Sequence, residues 1–267
     1  VNGGDGRRTL VIDGTPLETQ WWGPPPEAAP TLVLLHEGLG SVGLWRGFPA
    51  ALADVTGCGV VAYSRAGYGR SGPAKLPRPI TYIHDEASGS LPGLLDALAI
   101  RRAVLVGHSD GASIAAIHAG SRQDFRIAGL VLIAPHFFVE DMCLDAIAQA
   151  RMAYNTGDLR ARLARHHDHV DIAFRGWNDS WLDPRFKTDF DLTAEIAHIR
   201  VPILIVQGEN DPYGTRAQPD TAAREAYCPV EIAMIPEARH APHLEAEQPT
   251  LAAIAAFVGH LLANHAL

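Results

Sequence analysis

The pentapeptide Gly107-His108-Ser109-Asp110-Gly111 is a G-x-S-x-G pattern, and its setting gives it meaning. An apolar run at 103–106 precedes it, and an Ala- and Ile-rich segment at 112–119 follows. A serine on a tight strand-to-helix turn needs small neighbours, because the backbone is strained and strand and helix come close. Such a turn lifts the hydroxyl clear of the sheet. The helix N-terminus behind it offers N–H groups and a positive dipole end to a developing oxyanion. The chemistry expected of Ser109 is nucleophilic attack.

A serine hydroxyl is a poor nucleophile near neutral pH and needs a base, itself oriented by a third group. On an elbow of this kind the acid and the histidine follow the serine along the chain. Late histidines are His240 and His243, in the stretch Ala238-Arg239-His240-Ala241-Pro242-His243 after an apolar run at 231–235. His260 and His265 lie on or beyond a final helix and are expected to face solvent. Gly208-Glu209-Asn210-Asp211 follows the apolar run 202–207 and offers two carboxylates, Asp211 and Glu209.

The elements that must position these groups alternate. Segments 9–12 and 17–22 flank Asp13-Gly14, a hairpin signal. Runs at 31–35, 59–63, 103–106, 129–133, 202–207 and 231–235 read as short strands. Helical patterns fall at 44–55, 82–99 (interrupted near Pro92), 112–119 and 251–263. Alternation of this kind predicts an α/β fold, with a mostly parallel central sheet and helices on both faces. Between Pro135 and Arg200 no buried strand is expected. That stretch carries helical patterns and the aromatics Phe137, Phe138, Tyr154, Phe174, Trp177 and Trp181. The expected organisation is therefore a core of 1–135 and 200–267 with a helical cap at 136–199.

Composition narrows the class. Apolar residues at 47% and charged residues at 19% describe an ordinary globular chain rather than a disordered one. A formal charge of -8 without a Lys/Arg block disfavours nucleic acid and anionic membrane as partners. No apolar run reaches the length of a membrane span. Cys58, Cys143 and Cys228 are odd in number and far apart, so free thiols in a reducing, cytoplasmic setting are expected. The chain begins with Val1, which leaves a removed leader or a trimmed terminus open.

With the elbow, the acid turn and the late histidine in order, the sequence resembles the α/β-hydrolase superfamily from about residue 31 to the C-terminus. Within it, the chain is similar to the capped esterase, C–C hydrolase and haloalkane-dehalogenase-like branch. Gly208 to Asp211 resembles that family's G-x-x-D acid turn, and His240 its late histidine. The resemblance thus implies a Ser109, Asp211, His240 triad. Serine at the elbow disfavours dehalogenases and epoxide hydrolases, whose members use Asp there.

The resemblance also implies an oxyanion turn after the first buried strand, His-Gly followed by the donor. Here the turn reads His36-Glu37-Gly38-Leu39-Gly40, with Glu37 in the glycine place. Counting without gaps to Trp45 makes Gly38 the backbone donor, with Asp110 giving the second N–H; an insertion would make it Leu39. Losing one such donor costs about 10²–10³ in turnover. Residues expected against substrate are Glu37, Leu39, His108, Phe137, Trp177 and Trp181.

His166-His167-Asp168-His169 is set aside as a metal cluster, because adjacent side chains face different directions. The Ser64 to Ser71 loop lacks the phosphate-loop pattern. The expected function is cofactor-free, metal-free ester hydrolysis of a small, largely apolar molecule through an acyl-enzyme, with a homo-oligomer left open. The alternatives are a C–C hydrolase and a slow-turnover ligand receptor on the same fold.

Overall fold

The computed structural model describes residues 6–264, so the expectation for His265 lies outside the described residues. The chain opens with a hairpin, β1 (Arg7–Ile12) and β2 (Thr15–Trp22), turning at Asp13 and Gly14 with φ of 49° and 77°. Then come β3 (Thr31–Leu35), α1 (Phe48–Thr56), β4 (Gly59–Tyr63), α2 (Tyr82–Ser88), α3 (Ser90–Ala97), β5 (Ala103–His108), α4 (Asp110–Ser121) and β6 (Ile127–Ile133). Five helices follow before the next strand: α5 (Asp141–Thr156), α6 (Leu159–Leu163), α7 (Val170–Trp181), α8 (Pro184–Asp189) and α9 (Thr193–His198). The chain finishes with β7 (Ile203–Gly208), α10 (Ala217–Glu225), β8 (Val230–Ile235), α11 (Pro242–Glu245) and α12 (Glu247–Asn264).

The eight strands form one sheet in the order β1-β2-β4-β3-β5-β6-β7-β8. The hairpin is antiparallel at one edge, and every pairing from β4 to β8 is parallel. This is the mixed α/β sheet expected from the alternation. Strand period explains how both faces are covered. Leu32 and Leu34 pack with Phe48 and Phe257 of α1 and α12. Val33 and Leu35, one residue out of step, pack with Ile83, Leu94 and Ile114 of α2, α3 and α4.

Two details differ from the sequence expectation. The helix over 82–99 breaks at Gly89, not near Pro92. Pro92 sits in the first turn of α3, where a missing N–H is harmless. Helix α9, which the expected boundary puts in the cap, packs on α4 beside the sheet. Of the other helices between β6 and β7, α5 and α7 line one cavity with Ser109, which follows β5. Among the described residues no helix is long and apolar enough to cross a membrane.

Candidate active site

Ser109 joins β5 to α4 with φ 53° and ψ -117°, a region that L residues rarely occupy. Such strain costs of order 1–3 kcal/mol and persists only where the surroundings impose it. They do so here. Ser109 N–H donates to the Ile133 carbonyl of β6 at 2.9 Å, and its own carbonyl accepts from Ala112 and Ser113. A Cβ at Gly107 would overlap the Gly111 carbonyl, and one at Gly111 would overlap the Leu35 carbonyl. The two glycines of the motif are therefore the condition for strand, helix and neighbouring strand to meet at this point.

Asp211 sits just beyond β7 and is almost fully buried. His240, in the loop after β8, places Nδ1 2.9 Å from both Asp211 carboxylate oxygens. A carboxylate only accepts, so Nδ1 carries the proton and Nε2 keeps its lone pair. Gln207 Nε2 and the Tyr213 N–H also donate to Asp211, at 2.7 and 2.8 Å. Burial would raise the Asp211 carboxyl, but the His240 ring and the Tyr213 N–H hold it below the ordinary range. His243 lies elsewhere, buried among Trp45, Phe48 and His108. Glu209 is exposed.

Ser109 and His240 open on one cavity of about 200 Å³. The turn after β3 gives it Glu37, Gly38 and Leu39; the segment between β6 and β7 gives it Cys143, Ile147, Trp177 and Trp181. A Cβ on Gly38 would overlap the Trp177 indole, so Trp177 of α7 lies directly on the turn. Trp181 Nε1 donates to Asp110 Oδ1 at 3.1 Å and to Tyr82 Oη at 3.0 Å, while Tyr82 donates to Asp110 Oδ2 at 2.6 Å. The residue after Ser109 thus also ties the insertion to the elbow.

Two residues expected against substrate stand elsewhere. Phe137 is fully buried in the core and does not line the cavity. Its N–H donates to Gln218 and its carbonyl accepts from Leu192, which hold the side chain inward. His108 points beneath the elbow; its Nε2 donates to the His240 carbonyl at 2.7 Å, and its Nδ1 lies 3.6 Å from Glu37 Oε2. The half-buried Glu37 carboxylate folds back over Gly40, where a Cβ would overlap it. Burial would raise this carboxyl, but the His108 ring beside it holds it well below the usual range.

Sequence reasoning missed His136 and Tyr213, both in the cavity wall. His136 had a usable signal: it follows β6, and ligands on parallel sheets collect beyond the carboxyl ends of strands. His167, from the set-aside cluster, is buried and bonded instead to two core loops. Its Nδ1 accepts from Gly69 N–H and its Nε2 donates to the Leu39 carbonyl, both at 2.9 Å. No metal-binding group of three or more ligands occurs among the described residues.

A parallel sheet of this order, with a strained serine after β5, an acid after β7 and a histidine after β8, defines a class. Residues 32–254 match the alpha/beta hydrolase family, and the chain belongs to it. Epoxide hydrolase B of Mycobacterium tuberculosis is 36% identical over 130 residues, 49% of this chain and 35% of that protein. Putative carbamate hydrolase RutD of Caulobacter segnis is 33% identical over 126 residues, covering 47% of this chain and 44% of the relative. The chain therefore aligns with less than half the length of either relative. Among solved structures, the enol-lactonase from Burkholderia xenovorans superposes with a TM-score of 0.74 at 24% identity, covering 94% of this chain and all of that one. The esterase RhEst1 from Rhodococcus gives 0.72 at 17% identity, covering 96% and 99%.

Proposed function

We propose that this chain is a serine hydrolase that cleaves an ester or similar acyl bond of a small, largely apolar molecule. The observation that carries the reading is the strained Ser109 at the head of α4, on the same cavity as a His240 whose Nδ1 is fixed by Asp211. Ser109 Oγ attacks the carbonyl carbon as His240 Nε2 takes its proton. The oxyanion that forms meets the N–H groups of Gly38 and Asp110. His240 then protonates the leaving oxygen, and water, activated by the same imidazole, releases the acid and restores Ser109.

Size and lining support a short acyl group: about 200 Å³ is below the ~300–1,000 Å³ of drug-sized ligand sites. The aromatic and aliphatic wall from Ile147, Trp177 and Trp181 favours apolar acyl chains. Similarity to an epoxide hydrolase does not shift this reading, because Ser109 stands at the elbow where those enzymes use Asp. The relative from Caulobacter segnis is named a putative carbamate hydrolase, and a carbamate carries an acyl-type carbonyl. The free thiols of Cys58, Cys143 and Cys228 support a reducing, cytoplasmic setting. The test is a screen of short p-nitrophenyl esters beside dienol ring-cleavage products. Ester turnover abolished in His240→Ala is expected; turnover of the carbon–carbon substrates alone would contradict ester hydrolysis.

A further inference from the structure

His136 is a buried polar group in the cavity wall that the proposed acyl transfer does not use. It stands three residues beyond β6, past Ala134, whose φ of 47° turns the chain sharply. Ser113 Oγ of α4 donates to the His136 carbonyl at 2.6 Å and fixes its backbone. The ring meets Trp181 edge-on at 5.2 Å and lies 5.6 Å from the His240 ring. It is 2% exposed, and among the described residues no protein group hydrogen-bonds it. Leaving a buried polar group unpaired is expensive, so a ring held this firmly without a partner points to a ligand that supplies one.

We propose that His136 is a specificity-determining residue, and that the preferred acyl group carries a neutral oxygen acceptor which the His136 N–H binds. This rests on the reading of Ser109 and His240 as the reacting pair. Nδ1 is sealed by protein without a partner. A sealed lone pair is more readily tolerated than a sealed N–H, which places the proton on Nε2 and makes it a donor. Burial and the neighbouring His240 push the His136 pKa down to about 3, so the donor is uncharged. With Glu37 in the same wall and Asp211 behind His240, a second carboxylate on the substrate meets like charge. A keto, ether or lactone-type oxygen does not.

The test uses p-nitrophenyl esters paired by shape, methoxyacetyl against butanoyl and 4-oxopentanoyl against 4-methylpentanoyl. Each kcat/KM is divided by the ester's own hydroxide rate. The wild-type protein is expected to favour at least one oxygenated member by roughly five- to tenfold, the range of one hydrogen bond. His136→Phe keeps a ring against Trp181 and should erase that preference. His136→Asn, which retains a donor, should keep part of it. Fluorophosphonate labelling of Ser109 should persist in all three proteins, which reports that the reacting pair is still in place. Labelling intact but selectivity equal in wild type and both variants overturns the role of His136. A folded wild-type protein that is not labelled overturns the serine-hydrolase reading itself, and the inference with it.

Discussion

The His108 imidazole bridges the turn after β3 and the His240 loop: Nε2 donates to the His240 carbonyl at 2.7 Å, and Nδ1 faces Glu37 Oε2 at 3.6 Å. A carbonyl only accepts, so Nε2 is protonated, and Nδ1 is the nitrogen turned toward the Glu37 carboxylate. Glu37 is thereby a group that holds the His240 loop through His108. Glu37→Gln is expected to lower kcat about three- to tenfold with little change in KM, the scale of one polar contact that positions the His240 loop. The drop should be equal for neutral and cationic esters. A loss confined to cationic esters would mean that Glu37 contacts substrate instead.

Gly38 and Trp177 are matched by shape. A methyl at residue 38 overlaps the indole, so either the turn or α7 must move. Gly38→Ala should reduce kcat/KM by about tenfold or more through a displaced oxyanion donor. Trp177→Ala should restore part of that loss in the double variant. Strictly additive losses would show that the two residues do not compete for the same space.

Trp181 and Asp110 tie the insertion to the elbow in a dry setting. Trp181→Phe removes the indole N–H and leaves a buried carboxylate oxygen short of a donor. Urea unfolding should show a loss of about 1–3 kcal/mol. An unchanged midpoint would mean that Tyr82 and the buried Arg65, whose guanidinium lies 3.8 Å from Asp110 Oδ2, satisfy Asp110 without it.

Buried histidines set the acid limb of stability. His36, His136 and His243 are pushed down in the fold by burial first, His136 to about 3. In the unfolded chain each titrates near ~6.5. Below that pH the unfolded chain binds protons that the folded one does not, so stability is full above ~6.5 and falls with pH, by up to ~1.4 kcal/mol per unit per group. Urea midpoints taken downward from neutral pH should decline before the carboxylates titrate, and His243→Phe should flatten the slope. A level profile down to about pH 5 would contradict this.

Local chemistry was readable and long-range pairing was not. The elbow could be read because G-x-S-x-G, an apolar strand and a helix former are adjacent in the chain. The central strands β3 to β7 could be read because burial on both faces leaves nearly uninterrupted apolar runs. Asp211 and His240 are 29 residues apart, and choosing them over Glu209 and His243 needed a family resemblance as well as chain order. Helix α10 escaped notice because it is short and polar, burying little besides Ala222 and a few small or amide side chains. The contacts of Asp110 with Tyr82 and Trp181, and of His167 with Leu39, join residues 28 to 128 positions apart. No local pattern encodes such pairs. His136 gave only its place after a strand, and nothing in its neighbours announced an unpartnered ring.

The strained backbone at Ser109, on one cavity with the His240–Asp211 pair, is the feature on which the proposed chemistry depends. Labelling with a fluorophosphonate probe, followed by peptide mapping, reads it directly. One adduct on Ser109, absent from Ser109→Ala and strongly slowed in His240→Ala, is the expected result. No adduct on the folded wild-type protein, or an adduct that survives Ser109→Ala, would contradict it.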